Sequence, residues 1–143
     1  MFSVIPKRSP YGLLQEDVFP NEWLTLVVCI LLNQTTRKQV EKIFPEFCKR
    51  HSSPEEFINA DVQQIVVLLT SLGFKNRRVR NLTEMTKAYL EGTWVHADQL
   101  PGIGTYGRQC HDMMFHGIVG NEAPKDHALV LYWNWLKFHQ GRT

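Results

Sequence analysis

The sequence predicts an all-α fold. Apolar residues recur at helical spacing in segment after segment, strong helix-capping signals punctuate them, and no run of residues alternates as a strand would. The chain has 143 residues with 43% hydrophobic content, which suits one packed domain or two small helical lobes sharing a cleft. No internal repeat or low-complexity stretch interrupts it.

Asn21 is placed to cap a helix through Trp23, Leu26, Val27, Ile30 and Leu31. Its nearly all-apolar surface predicts a buried central helix. Thr35 or Thr36 can cap the next, where Val40, Ile43, Phe44 and Phe47 line one face and Pro45 introduces a kink. Ser53-Pro54-Glu55-Glu56 combines a cap serine, a first-position proline and a glutamate three residues after the cap. Asp61 opens a short helix through Ile65, Val66 and Leu69 that stops near Gly73. Asn76 opens another through Val79, Leu82, Met85 and Tyr89, ended by Gly92. Tyr106 to Val119 reads as helix between Gly104 and Gly120, and Pro124 begins the last, carrying Leu129, Tyr132, Trp133 and Leu136.

Composition excludes several classes. The longest apolar run, Leu24 to Leu32, is too short to span a bilayer and holds Thr25, so no membrane partner is expected. The N-terminus has no signal-peptide pattern, and the start reads as part of a longer protein. Three cysteines, Cys29, Cys48 and Cys110, are too few and too scattered for a zinc site or a disulfide framework, which points to a reducing compartment. His111, His116, His127 and His139 lack ligand spacing. Net charge is only +2, but Lys75, Arg77, Arg78 and Arg80 cluster, with smaller clusters at Lys7-Arg8 and Lys49-Arg50. Such a face can meet phosphate, although charge alone favours the plainer reading of a solvated helix surface.

The most informative segment is Leu100-Pro101-Gly102-Ile103-Gly104-Thr105-Tyr106-Gly107. Gly102 and Gly104 permit positive φ and close backbone approach. The turn feeds a helix N-terminus, whose free N–H groups favour an anion. Ile103 is the apolar plug between the two helices. An ordinary helix–helix turn would also satisfy a lone Gly-x-Gly. The full run is more specific, and it resembles the hairpin of the helix-hairpin-helix DNA glycosylases, the endonuclease III superfamily. Within that superfamily the chain is similar to the glycosylase domain of the methyl-CpG-binding thymine-DNA glycosylases, from about Pro6 to His139. The resembling segments are Arg8-Ser9-Pro10-Tyr11, Leu14-Gln15-Glu16, Asn33-Gln34-Thr35, Leu72-Gly73-Phe74, the hairpin, and Asp126-His127.

The resemblance implies a single helix-hairpin-helix glycosylase domain over residues 1–143. It would have two helical lobes, with the motif flanking a DNA-binding cleft. It implies a catalytic role for Asp126, which stands about twenty residues beyond the hairpin. By the same resemblance Gln15 reads the flipped base and Tyr106 lines its pocket. Bifunctional relatives carry a lysine where Tyr106 stands, so no Schiff base and no lyase step are expected. Gln34 corresponds to the side chain that fills the gap left by the base, and Phe74 to the apolar wedge beside the orphaned guanine. The thymine glycosylases carry Arg at the first of these places. Lys75, Arg77 and Arg78 would reach phosphates. The carbonyls of Asp98, Leu100 and Ile103 would hold a structural Na+ or K+. No cysteine follows Cys110, so no iron–sulfur cluster is expected. Ala128 replaces a lysine frequent in the family.

The function so implied is monofunctional excision of thymine or uracil from G·T or G·U pairs in double-stranded DNA, by a monomer located in the nucleus if the source is eukaryotic and in the cytoplasm or nucleoid otherwise. Two other readings compete with it. One is a non-catalytic DNA-binding module, in which Asp126 is only a helix cap. The other is an enzyme of this fold acting on a different damaged base.

Overall fold

The structure, a computed structural model, describes residues 9–140, without the side chains of His127, His139 and Gln140. Lys7-Arg8 lies outside the described residues. The helices run α1 (Leu14–Val18), α2 (Glu22–Leu31), α3 (Arg37–Arg50), α4 (Pro54–Ile58), α5 (Val62–Leu69), α6 (Lys75–Glu91), α7 (Thr105–Phe115) and α8 (His127–Gln140). Single 3-10 turns at Thr70–Leu72 and Ala97–Gln99 precede α6 and α7. Among the described residues there is no strand, and no helix is long and apolar enough to cross a membrane.

Helix α2 is the axis, with every residue from Trp23 to Leu31 buried. The Asn21 side chain caps it by accepting from the Leu24 N–H, as expected. It packs on α6 and α7 and is covered by α1, so the remaining helices fall on its two sides. On one side α4 and α5 pack on α6. There Trp23, Phe47 and Phe57 form an aromatic cluster, with Trp23 and Phe57 ring centroids 5.7 Å apart. The Trp23 indole donates to Thr86 Oγ1 over 3.0 Å, which satisfies its N–H within the core. On the other side α7 contacts α8. Glu22 ties three helices together, accepting from the Tyr89 hydroxyl of α6 at 3.0 Å and pairing with His111 Nε2 of α7 at 2.7 Å.

The cap readings hold at Thr36, which forms a capping box with Gln39, at Ser53 with Pro54 and Glu56, at Asp61, and at Gly92. Helix α3 continues through Pro45, whose exposed position lets water satisfy the carbonyl that loses its donor. Three boundaries differ from expectation. Phe74, not Asn76, precedes α6, in a left-handed conformation with φ of 50°. Helix α7 ends at Phe115 rather than Val119, because Gly117 takes φ of 65° and turns the chain away. Pro124 lies before α8, not in it. Asp126 caps that helix, its Oδ2 accepting from the Leu129 N–H at 2.9 Å.

The hairpin is locked by packing. Ile103 is buried between α2 and α7, as its apolar side chain requires. Gly107 lies under it, and a Cβ there would stand 2.7 Å from Ile103 Cγ2 and 3.6 Å from Cys29 Cβ. Gly107→Ala is therefore expected to cost about 1–3 kcal/mol through overpacking, read as a fall of several degrees in melting temperature. An unchanged melt would show that the hairpin gives way freely.

Candidate active site

A cavity of about 730 Å³ opens where the start of α1, the end of α2, the hairpin and the start of α8 converge. Its wall includes Gln15, Cys29, Gln34, Gly102, Gly104, Tyr106, Asp126 and Ala128. The chain thus gathers residues that the sequence scatters over more than a hundred positions.

Gln15 is 1% exposed, held in α1. Its Nε2 donates to the Tyr106 hydroxyl over 2.6 Å and lies 3.9 Å from Cys29 Sγ. Because that hydroxyl oxygen accepts from Gln15, its own proton is left to donate elsewhere. Burial, with Cys29, Cys110 and Asp126 close by, pushes the Tyr106 phenol far above its ordinary value, and the Gln15 hydrogen bond only partly opposes this. The hydroxyl is therefore neutral at any working pH. Burial also raises Tyr89 and Tyr132.

Below the ordinary value of 10.0 both folded and unfolded chains keep these phenols protonated. Above it only the unfolded chain ionises them readily, so stability falls as pH rises. Alkaline titration should show tyrosinate absorbance from these residues appearing together with the loss of helical circular dichroism. Ionisation completed while the helices persist would contradict the burial argument.

Asp126 is exposed at the mouth of α8. Oδ2 is used in the cap, and among the described residues Oδ1 makes no hydrogen bond. The carboxylate thus lines the cavity with one oxygen uncommitted.

The hairpin follows the expected geometry in part. Gly102 has φ of +81°, and a side chain there would also press on Asn81 at 3.2 Å. Gly104 needs no left-handed backbone. Its φ is −106°, and it serves as the residue before α7, with open space where a Cβ would stand. Among the carbonyls assigned to a cation, that of Leu100 accepts from the Ile103 N–H at 3.1 Å, which closes the turn. Asp98 pairs through its carboxylate with Arg108 at 3.2 Å. Among the described residues no group of three His, Cys, Asp or Glu side chains could hold a metal ion.

Gln34 and Phe74 stand on neighbouring loops at one edge, both exposed and both left-handed, with φ of 59° and 50°. The Arg77 guanidinium lies 4.6 Å over the Phe74 ring, and its Nη2 is 3.5 Å from Gln34 Oε1. Lys75 is exposed beside them. Arg78 overturns the expectation placed on it. It is 4% exposed and donates to three main-chain carbonyls, so it faces inward and not toward phosphate. Sequence reasoning also passed over Cys29, which forms part of the cavity wall. Its place one helical turn before Asn33, near the C-terminal end of α2, was the available signal.

This all-helical fold, with a Gly-turned hairpin leading into α7 and Asp126 at the start of α8, is the arrangement that the resemblance to helix-hairpin-helix DNA glycosylases led us to expect. The chain belongs to the HhH-GPD superfamily of base excision DNA repair proteins, whose family model matches residues 27–140. It is 30% identical over 133 residues to a methyl-CpG-binding domain protein 4-like protein of Arabidopsis thaliana, covering 93% of this chain and 30% of that protein. It is 29% identical over 92 residues to a thymine-DNA glycosylase of Aeropyrum pernix, covering 59% of this chain and 41% of the relative. The chain thus spans well under half the length of either curated relative. Among solved structures, a thermostable thymine-DNA glycosylase superposes with a TM-score of 0.67 at 21% identity, over 82% of this chain and 55% of that one. A trapped endonuclease III–DNA covalent intermediate gives 0.62 at 16% identity, over 78% of this chain and 60% of that one. At these identities the two structures establish a shared fold.

Proposed function

We propose that the chain is a monofunctional DNA glycosylase that removes thymine or uracil from G·T and G·U pairs in double-stranded DNA. The observation that carries this reading is the Gln15–Tyr106 hydrogen bond in a cavity that Asp126 also lines. A wobble pair lowers the cost of taking the base out of the stack. Gln15 offers both an amide donor and an amide acceptor, which suit the oxygen and N3–H edge of a pyrimidine. Tyr106, neutral and with its proton free, adds a donor on the same wall.

As the glycosidic bond breaks, positive charge develops on the sugar. Asp126 stabilises it electrostatically through the uncommitted oxygen and positions the attacking water. A phenol at position 106 forms no Schiff base, so the reaction ends at an abasic site. Lys75 and Arg77, the exposed cations at the edge, contact phosphate, and the N-terminus of α7 behind Gly102 and Gly104 takes another. Gln34 and Phe74 enter the duplex where the base has left. Neutral carbonyl oxygens of Asp98, Leu100 and Ile103 are hard donors suited to Na+ or K+, which would brace the hairpin. No other cofactor is part of this reading. The same proposal takes residues 1–143 as one domain of a monomeric protein, nuclear if its source is eukaryotic.

The test is single-turnover cleavage of end-labelled duplexes containing G·U, G·T, 5-substituted uracils or 8-oxoguanine, analysed with and without alkali. Strand breaks at uracil and thymine only after alkali are expected. No abasic product from any duplex would remove the enzyme reading. Scission before alkali would remove the monofunctional one.

A further inference from the structure

The buried guanidinium of Arg78 is unusual in what it holds. Nε donates to the Gly73 carbonyl at 2.8 Å and Nη2 to the Leu72 carbonyl at 3.2 Å. Nη1 donates to the Asn33 carbonyl at 2.8 Å, across 45 residues of sequence. Gly73 and Asn33 are the residues immediately before Phe74 and Gln34. One rigid fork therefore grips both loops directly behind the two exposed left-handed residues. A non-glycine residue at positive φ persists only where its surroundings impose it, and here a single side chain bridges both sites. Arg77 repeats the link on the outside, touching the Phe74 ring and the Gln34 amide. Among the described residues Arg78 has no carboxylate partner, and burial lowers its pKa, followed by the nearby Arg77 charge. A charge buried at such cost is retained for the carbonyls that it organises.

We propose that Arg78 is a positioning residue that fixes the spacing of the Gln34 and Phe74 loops, so that both side chains enter the duplex as one unit. The proposal rests on the reading of Gln34 and Phe74 as the inserting pair. Lysine at this place keeps the charge but offers a single nitrogen, which cannot reach three carbonyls in two loops with the geometry of the fork.

The test compares affinity for two duplexes. One carries a tetrahydrofuran abasic analogue opposite 2-aminopurine, and the other is the same sequence fully paired. 2-Aminopurine fluorescence reports insertion beside the orphaned base, independently of any base cleavage. Arg78→Lys is expected to melt cooperatively and to lose the preference for the abasic duplex by about tenfold, together with the fluorescence change. Placed on a Gln34→Ala/Phe74→Ala background, it should cause no further loss, since residues that act through one another are not additive. An Arg78→Lys protein that keeps the preference, weakens both duplexes equally, or adds its loss to that of the double variant would overturn the proposal. If Arg78→Lys does not fold, Arg78→Gln takes its place, and failure of both to fold would assign Arg78 to stability alone. A wild-type protein without preference for the abasic duplex would instead overturn the inserting-pair reading, before any Arg78 variant is compared.

Discussion

Asp126→Asn is expected to slow base release by about a hundred- to a thousandfold in single-turnover assays while leaving duplex affinity within about twofold. The substitution is informative because asparagine caps a helix as well as aspartate does. The hydrogen bond to the Leu129 N–H survives, and α8 keeps its start. What disappears is the negative charge that, on the proposed mechanism, faces the developing positive charge on the sugar. Asp126→Ala is the contrasting variant, since it removes the cap as well and should lower stability by about 1 kcal/mol. Equal loss of binding and rate in Asp126→Asn would show that the residue is structural. Unchanged base release would show that the charge is not used.

The second large effect is expected at Gln15. Gln15→Met preserves length and fills the same buried volume, but leaves the polar edge of the base unmet. An unsatisfied polar group of that kind costs about 2 kcal/mol, which corresponds to a fall of about thirtyfold in kcat/KM on G·U duplexes. Unlike Asp126→Asn, it should also narrow the gap between pyrimidine substrates and other bases, because selectivity and rate then rest on different residues. The folded state should survive, since the Tyr106 hydroxyl borders the cavity and can hydrogen-bond water there. A uniform fall across all substrates with unaltered selectivity would place Gln15 outside base reading.

Local signals in the sequence carried the helices well. Asn21, Thr36, Ser53 with Pro54, and Asp61 are caps whose chemistry acts within four residues, so their reading needed no tertiary knowledge. The errors fall where distant contacts decide. Asn76 is a good cap residue, yet the chain turns earlier, at Phe74, where Arg78 holds the preceding carbonyl. Arg78 itself was grouped with its charged neighbours, because a charge cluster does not reveal side-chain direction. Its spacing of four from Leu82 and seven from Met85 put it on the buried stripe of α6, and that signal was readable. The cavity was legible only through resemblance. Nothing local in Gln15 announces that it meets Tyr106, and nothing in Cys29 says that it joins the same wall.

The Gln15–Tyr106 contact closes a loop of 91 residues. Helices such as α3 and α6 can form soon after their own residues leave the ribosome, whereas the pocket waits for the hairpin and then for α8. Contacts of such long span are generally among the later ones to form, because the entropy of closing the loop is spent before any reward arrives. A nascent or truncated chain would therefore be rich in helix and yet have nowhere to put a base. On the proposed function, this order of assembly keeps the cutting apparatus incomplete until α8 has joined the fold.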